Sequence, residues 1–266
     1  MRERSEILYG RHAVRESLRA GRRRFHKLML AEGIRQTEVI GQIVFLAERA
    51  EVPVTRIERR DLDRLGHVNH QGVALETGDY PYSTLDDILA LAKLRGEVPL
   101  LLLLDLLQDP QNVGSLLRTA EAVGVHGVVI QQRRAVGITP AVVRASAGGV
   151  EHVLVAQVTN LVTAIDQLKA HDVWVAGLEA LSSPQQYDQA DLTMSLAIVV
   201  GSEGKGLRRL VQERCDFHLQ LPMLGQVTSL NAAVAGSVVL YEVLRQRRTQ
   251  ATGREVEKGK GLKIAS

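Results

Sequence analysis

The sequence predicts an α/β protein in two parts: a small α/β module, then a mainly parallel sheet with helices on both faces. Three observations carry this. From residue 98 onward, strand-like apolar runs alternate with helical spacings, the order that yields a parallel sheet covered on both sides. Residues 98–107, almost all leucine and valine, form the longest apolar run, as a strand buried on both faces requires. Ahead of it, helix and strand signals follow one another in a set that closes near residue 76.

In the module, residues 7–20 read as a helix with apolar positions at Ile7, Leu8, Val14 and Leu18, and residues 27–30 as a strand. Residues 37–50 have helical spacing at Val39, Ile40, Ile43, Val44 and Ala47. A strand over 52–57, a small helix over 60–65 and a closing strand over 72–75 complete the unit. Residues 77–97 form a connector with its own helix. Ser83 or Thr84 can cap it, with Asp86 or Asp87 three residues on, and Gly96 ends it.

The second part then reads as strand 100–107, helix 115–123 and strand 125–130. Further strands fall at 153–155, 173–177, 196–200 and 217–221, with helices at 159–170 and 207–214. A last helix follows Asn231. It has hardly any polar face from Ala232 to Leu240, so burial on most sides is expected. Residues 249–266 are polar and basic and are expected to be a mobile tail. The expected division is therefore 1–76, 77–97, 98–248 and 249–266.

Net charge is +3, but residues 1–30 hold nine Lys/Arg against three acids, a local +6 that leaves −3 for the rest. A basic end on a near-neutral body points to a polyanion, most simply nucleic acid, or else to a solvated basic face. Aromatic residues are only 3% of the chain, so contacts to phosphate and sugar are expected rather than extensive base stacking. A single cysteine, Cys215, excludes an intramolecular disulfide and agrees with a reducing cytoplasm. It is expected to be a buried structural thiol. Residues 1–6 are charged with no apolar stretch behind them, and 98–107 is too short to cross a bilayer, so a cytoplasmic protein without a membrane span is expected.

Three stretches carry the chemistry: 100–130, 198–207 and 222–241. In each, a strand or turn delivers polar and glycine residues into a helix, and a parallel sheet binds ligands at the carboxyl ends of its strands. The turn Gly201-Ser202-Glu203-Gly204-Lys205-Gly206 lacks the GxxxxGKS/T spacing of a phosphate-binding loop. After the first strand stands Asp109-Pro110-Gln111-Asn112-Val113-Gly114 rather than GxGxxG, which argues against a nicotinamide enzyme and the common Rossmann-type methyltransferase.

Together these stretches resemble motifs one, two and three of the SpoU/TrmH family of RNA ribose methyltransferases. Asn112, Gly114 and Arg118 fall in the first; Gly201, Glu203 and Gly204 in the second; Pro222, Ser229, Leu230 and Asn231 in the third. Tyr9-Gly10-Arg11-His12-Ala13-Val14 and His70-Gln71-Gly72-Val73 likewise resemble the ribosomal-protein-like substrate-binding domain found ahead of it. The resemblance implies a deep trefoil knot (the SPOUT fold) and transfer of methyl from S-adenosylmethionine to a ribose 2′-hydroxyl. Large-subunit ribosomal RNA is the implied substrate. A homodimer through the C-terminal domain is also implied, with residues 232–244 at its interface. Cofactor contacts carry over to Gly201, Leu221 and Leu230, with Leu178, Glu179 and Met223 as neighbours. A transfer-RNA enzyme, or an RNA-binding scaffold without catalysis, are the alternatives.

A ribose hydroxyl attacks poorly until its proton is lost or shared. Arg118 is expected one turn into the helix after the Asn112 loop, gripping an RNA phosphate and stabilising developing alkoxide charge; arginine stays protonated in proteins. Glu203 would orient its neighbours or carry charge near the sulfonium, unless it is only a carboxylate at a helix start. Asn112 and Asn231 can each donate and accept. Ser229 joins them, or acts as a helix cap. Arg11, Arg22, Arg23 and Arg24, with Arg118, are the candidate RNA contacts. No metal is expected: His67 and His70 stand in a turn without a carboxylate or cysteine cluster, and His126, His152 and His171 read as structural.

Overall fold

The computed structural model describes residues 5–65, 68–179 and 185–261, with side chains to residue 251; His67 lies outside the described residues. The first unit is a four-stranded sheet of β1 (Glu6–Tyr9), β2 (Phe25–Ala31), β3 (Val54–Ile57) and β4 (Val73–Thr77), in the order β1-β4-β2-β3. β4 is antiparallel to β1 and β2, while β2 and β3 are parallel. Alternation sorts its two faces. Leu8, Leu28, Leu30 and Leu75 pack under α1 (Arg11–Ala20) and α2 (Glu38–Arg49). Ala31 and Ala74 meet Leu62 of α3 (Arg59–Asp63) on the other face.

One expectation fails at the start. Ile7 and Leu8 belong to β1, not to a helix, because residues 6–9 pair with β4. Gly10, at φ 90, turns the chain between β1 and α1, a backbone value that suits glycine.

The second unit has seven strands: β5 (Leu100–Asp105), β6 (Gly127–Gln131), β7 (Leu154–Val158), β8 (Trp174–Leu178), β9 (Gln185–Gln186), β10 (Leu196–Gly201) and β11 (Phe217–Gln220). Their order is β7-β6-β5-β10-β8-β11-β9, and every neighbouring pair is parallel. Every residue of β5 and β10 is buried. Leu100, Leu102 and Leu104 face one core with Leu116, Leu117 and Val239, while Leu101 and Leu103 face the other with Ile88 and Ile165.

The helices are α4 (Leu85–Arg95), α5 (Pro110–Val123), α6 (Pro140–Ala145), α7 (Leu161–Ala170), α8 (Arg209–Gln212) and α9 (Ala232–Gly261). A 3-10 turn, Gly149–His152, follows α6; the sequence reading passed over both, as it did β9. α4 opens on the expected capping box between Thr84 and Asp87, but it is not a free connector, since Ile88 is fully buried against the second sheet. α5 begins five residues earlier than expected. Asp109 accepts from the backbone N–H of Gln111 and Asn112, and Pro110 takes the first helical position. Asn112 therefore sits in the first turn of a helix rather than in a loop.

α9 departs from expectation twice. It buries one face only: Ala233, Val239, Leu240 and Val243 are inside, while Val234, Val238 and Tyr241 are 50%, 37% and 53% exposed. It also continues through the expected tail to Gly261, leaving residues 262–266 outside the described part. Arg247 anchors that extension, donating to the carbonyls of Val98, Pro99 and Met194 at 2.6, 2.9 and 2.8 Å.

Candidate active site

The chain leaves β5 for β6 on one side of the sheet, while β10 lies against β5 on the other. At such a reversal the carboxyl ends of two neighbouring strands open a crevice. Motif one leaves β5 into α5, and motif two leaves β10. The turn after β10 folds back on itself, with Ser202 and Gly206 exchanging backbone hydrogen bonds of 3.1 and 2.9 Å. Gly201 is required there, because a Cβ would run into the Gly206 carbonyl. A Cβ on Gly206 (φ 62) would lie 2.5 Å from Glu179 Oε1.

Three side chains, one from each motif, close into a cluster. Asn112 Nδ2 donates to Glu203 Oε1 in a short hydrogen bond. Asn231 Nδ2 reaches the same oxygen at 2.8 Å and Asn112 Oδ1 at 2.9 Å. Asn231 Oδ1 accepts from the backbone N–H of Ala233 and Val234 at 2.9 and 3.2 Å. Asn231, not Ser229, is thus the cap of α9. Nor does Glu203 stand at a helix start, since α8 opens only at Arg209. With both donors on Oε1, Glu203 Oε2 has no hydrogen bond among the described residues.

Beside the cluster lies a cleft of about 630 Å³, lined among others by Gly201, Glu203, Ser229, Leu230 and Asn231. Leu178, Glu179, Ser229 and Leu230 also line a smaller recess of about 160 Å³ walled by Leu219, Leu221 and Met223. Of the six residues expected at a cofactor, Gly201 lines the cleft, Leu221 and Met223 line the recess, and Leu178, Glu179 and Leu230 line both, as does Ser229. Burial raises the pKa of Glu179 there. Next to Glu203 a third hollow of about 350 Å³ is bounded by Leu106, Asp109, Asn112 and Lys205. Ser202, Glu203 and Lys205 border both this hollow and the cleft.

Asp105 escaped the sequence reading as a site residue, although it was the one charge in a leucine run. It is 1% exposed and accepts from the backbone N–H and Nε of Arg208 at 2.9 and 2.7 Å and from Gln131 Nε2 at 3.3 Å. This carboxylate pins the exit of the Glu203 turn to the end of β5.

The chain matches the SpoU rRNA Methylase family over residues 99–241, and the RNA 2′-O ribose methyltransferase substrate binding family over 7–83. It belongs to the SpoU/TrmH family of RNA methyltransferases. YacO of Bacillus subtilis (strain 168), assigned to the TrmH family of tRNA/rRNA methyltransferases, is 43% identical over 93% of this chain and 98% of its own. A TrmH family protein of Staphylococcus aureus (strain MSSA476) is 45% identical over 91% of this chain and 96% of its own. The SpoU methyltransferase AviRb of Streptomyces viridochromogenes, solved with its cofactor AdoMet, shares the fold at TM-score 0.77 and 23% identity, covering 92% of this chain and 91% of that one.

Arg118 stands apart from the other SpoU motif residues. Six positions along a helix are about 240° round and about 9 Å on from Asn112, so its side chain leaves α5 on another face. It is exposed, has no hydrogen bond or ion pair among the described residues, and lines a separate cleft against α1. The other expected RNA contacts also need correction. Arg23 is buried, with Nε 2.9 Å from Glu151 and Nη1 2.8 Å from Glu6. Arg22 Nη1 donates to Val153 O at 2.8 Å and Tyr80 Oη at 3.3 Å. Both arginines clamp the N-terminal unit onto the sheet domain and are not available to phosphate. Arg11 is half-buried, with Nε on Gln71 O at 3.3 Å, and Arg24 is exposed.

Cys215 is a free, partly buried thiol with its pKa pushed up to about 12 by burial, unsuited to nucleophilic work. His126 is structural: Nδ1 accepts from Leu100 N–H at 3.0 Å, and Nε2 meets Glu97 at 2.9 Å. Among the described residues, no helix is long and apolar enough to cross a membrane, and no group of three His, Cys, Asp or Glu is arranged to hold a metal ion.

Proposed function

We propose that this chain transfers a methyl group from S-adenosylmethionine to a ribose 2′-hydroxyl of RNA, with large-subunit ribosomal RNA as substrate. The observation that carries this reading is the Asn112–Glu203–Asn231 cluster, drawn from all three motifs and opening on a cleft lined by Leu178, Glu179, Gly201 and Leu230, beside a recess that holds Leu221 and Met223. The cleft suits the cofactor chemically. Its recess is apolar at Leu178, Leu219, Leu221 and Leu230, as a purine face prefers, and its mouth holds the Glu203 carboxylate, the right sign for a sulfonium. Gly201 and Gly206 let backbone come close to a ligand. When bound, the cofactor supplies an electrophilic methyl group.

The chain's own residues do the rest. Asn112 and Asn231 hold Glu203 by one oxygen and leave the other without a hydrogen bond at the border of the cleft. There it can accept a hydrogen bond from the attacking hydroxyl or balance the positive sulfur. Ser229 is a further polar group on the cleft wall. Arg118, two turns along α5, holds an RNA phosphate beside the reacting ribose rather than the cofactor.

The match of residues 99–241 to the SpoU rRNA Methylase family, with a substrate-binding unit ahead of it, supports ribosomal over transfer RNA. The exposed apolar stripe Val234, Val238 and Tyr241 supports a two-fold dimer through α9. The tight approach of the Gly206–Leu207 backbone to Gly201 suits a knotted crossing, and an RNA substrate of this kind fits a cytoplasmic enzyme. The test is incorporation of labelled methyl from S-adenosylmethionine into rRNA and tRNA from cells lacking the enzyme, followed by mapping of the modified ribose. Calorimetry in chelator should show one cofactor site per chain. Cofactor binding with no methyl transfer to either RNA would favour the scaffold reading.

A further inference from the structure

The basic residues that were expected to meet RNA are largely occupied, yet a different set of cations faces Arg118 across the junction of the two units. His12, Arg15 and Arg19 of α1 line one side of a cleft of about 650 Å³, and Arg118 of α5 lines the other. Glu16 lies between them. It accepts from Arg15 Nε at 2.8 Å, from Arg19 Nη1 at 3.3 Å and from His152 Nε2 at 2.9 Å, so one carboxylate joins two arginines to the sheet domain. Burial works against its charge, but the hydrogen bonds from His152 and Arg15 and the charges of the two arginines outweigh burial and hold its pKa below the usual range.

Two adjacent glycines bring these elements together. A Cβ on Gly148, at φ 87, would lie 2.6 Å from Glu16 Cβ, and one on Gly149 would lie 3.3 Å from the Cα of Arg118. α1 and α5 thus both pack on the same turn, and at Gly148 the positive φ and the 2.6 Å approach together require glycine. Donors remain after these contacts. Arg15 keeps Nη2, Arg19 keeps Nε and Nη2, and the whole guanidinium of Arg118 is unpaired. Three arginines face two carboxylates, Glu16 and Glu121, and Glu16 is already committed.

We propose that the cleft between α1 and α5 is a binding site for RNA sugar-phosphate, with Arg15, Arg19 and Arg118 as its phosphate ligands and Glu16 as the residue that positions them. This rests on the methyl-transfer reading above. It adds that RNA is gripped at the junction of the two units, by one face of α1, beside the helix that carries Asn112.

The test measures binding of full-length protein to unmodified transcripts of 23S rRNA and of a tRNA pool, carrying forward the tighter, over a series of salt concentrations. Arg15→Gln with Arg19→Gln should weaken binding and make the slope of log K against log salt shallower by about 1.4, two phosphate contacts at about 0.7 each. Should that variant melt early, Arg19→Gln alone, whose side chain is 53% exposed, should lower the slope by about 0.7. Arg60→Gln, on α3 across the module's sheet, should change neither slope nor affinity. Glu16→Gln should raise KM for RNA with kcat and cofactor affinity kept, which a general loss of folding would not do. Unchanged binding and slope in the Arg15/Arg19 variants overturn the proposal, even where methyl transfer proceeds. Loss of slope in those variants with no methyl transfer by wild type leaves the cleft standing and removes the catalytic reading.

Discussion

Arg23 Nε lies 2.9 Å from Glu151 Oε1, and neither side chain reaches solvent. This pair joins the N-terminal unit to the 3-10 turn of the sheet domain, and Tyr80 Oη seals it by donating to the carbonyls of Val150 and Val153 at 3.1 and 3.0 Å. Taking away one partner strands the other charge in the interior. Arg23→Met should cost about 3–5 kcal/mol of stability, whereas Arg23→Met with Glu151→Leu should recover much of it. Urea unfolding of the single and double variants measures both. A single variant as stable as wild type would contradict the clamp.

Arg118→Ala should leave the melting temperature within the small range of surface substitutions, since the side chain is exposed and unpaired. Methyl transfer should nevertheless fall about a hundredfold, because a misplaced ribose loses the attack geometry. Cofactor affinity by calorimetry should be unchanged. Arg118→Lys should rescue poorly, as lysine keeps the charge but not the planar fork. Near-normal turnover of Arg118→Ala at saturating RNA would remove this residue from the mechanism.

Asn231 does two jobs that substitution can separate. Asn231→Ala loses the cap of α9 and the tether on Glu203, and should cost about 1 kcal/mol together with most of the turnover. Asn231→Asp keeps an oxygen for the cap but puts a second carboxylate against Glu203. Its stability should return toward wild type while its turnover stays low. Parallel recovery of both would show that capping is the only role.

A dimer through α9 should show in sedimentation at micromolar concentration as twice the mass of one chain. Val238→Asp or Tyr241→Glu, on the exposed stripe, should give the single-chain mass with the fold intact by circular dichroism. Persistence of the dimer in both variants would move the interface elsewhere.

Much of the architecture was legible from local pattern. The leucine run of β5, the Thr84–Asp87 box of α4 and the alternation of β6, α7, β8 and β10 are short-range signals, set by propensity and by which faces must leave water. Residues 6–9 were misread because Ile7 and Leu8 satisfy helical spacing with Val14 and Leu18 as well as strand alternation. Pairing with β4, 65 to 71 positions on, decided for the strand. The start of α5 was missed because Asp109-Pro110 was read as a turn, although Asp then Pro is also how a helix begins.

What the sequence determined by itself is the set of polar residues that three turns could offer, Asn112, Glu203, Ser229 and Asn231, and the small residues that let those turns approach. These depend on neighbours in the chain. Tertiary structure alone decided which of them meet. It joined Asn112, Glu203 and Asn231, turned Arg118 to another face of α5, and spent Arg22 and Arg23 on the clamp rather than on RNA. It also left one side of the apolar helix α9 uncovered. Charge and spacing cannot distinguish a guanidinium bound for solvent from one bound for a buried carboxylate 128 positions away. That choice belongs to packing, where an unpaired charge is too costly to bury and its partner can come from anywhere in the chain.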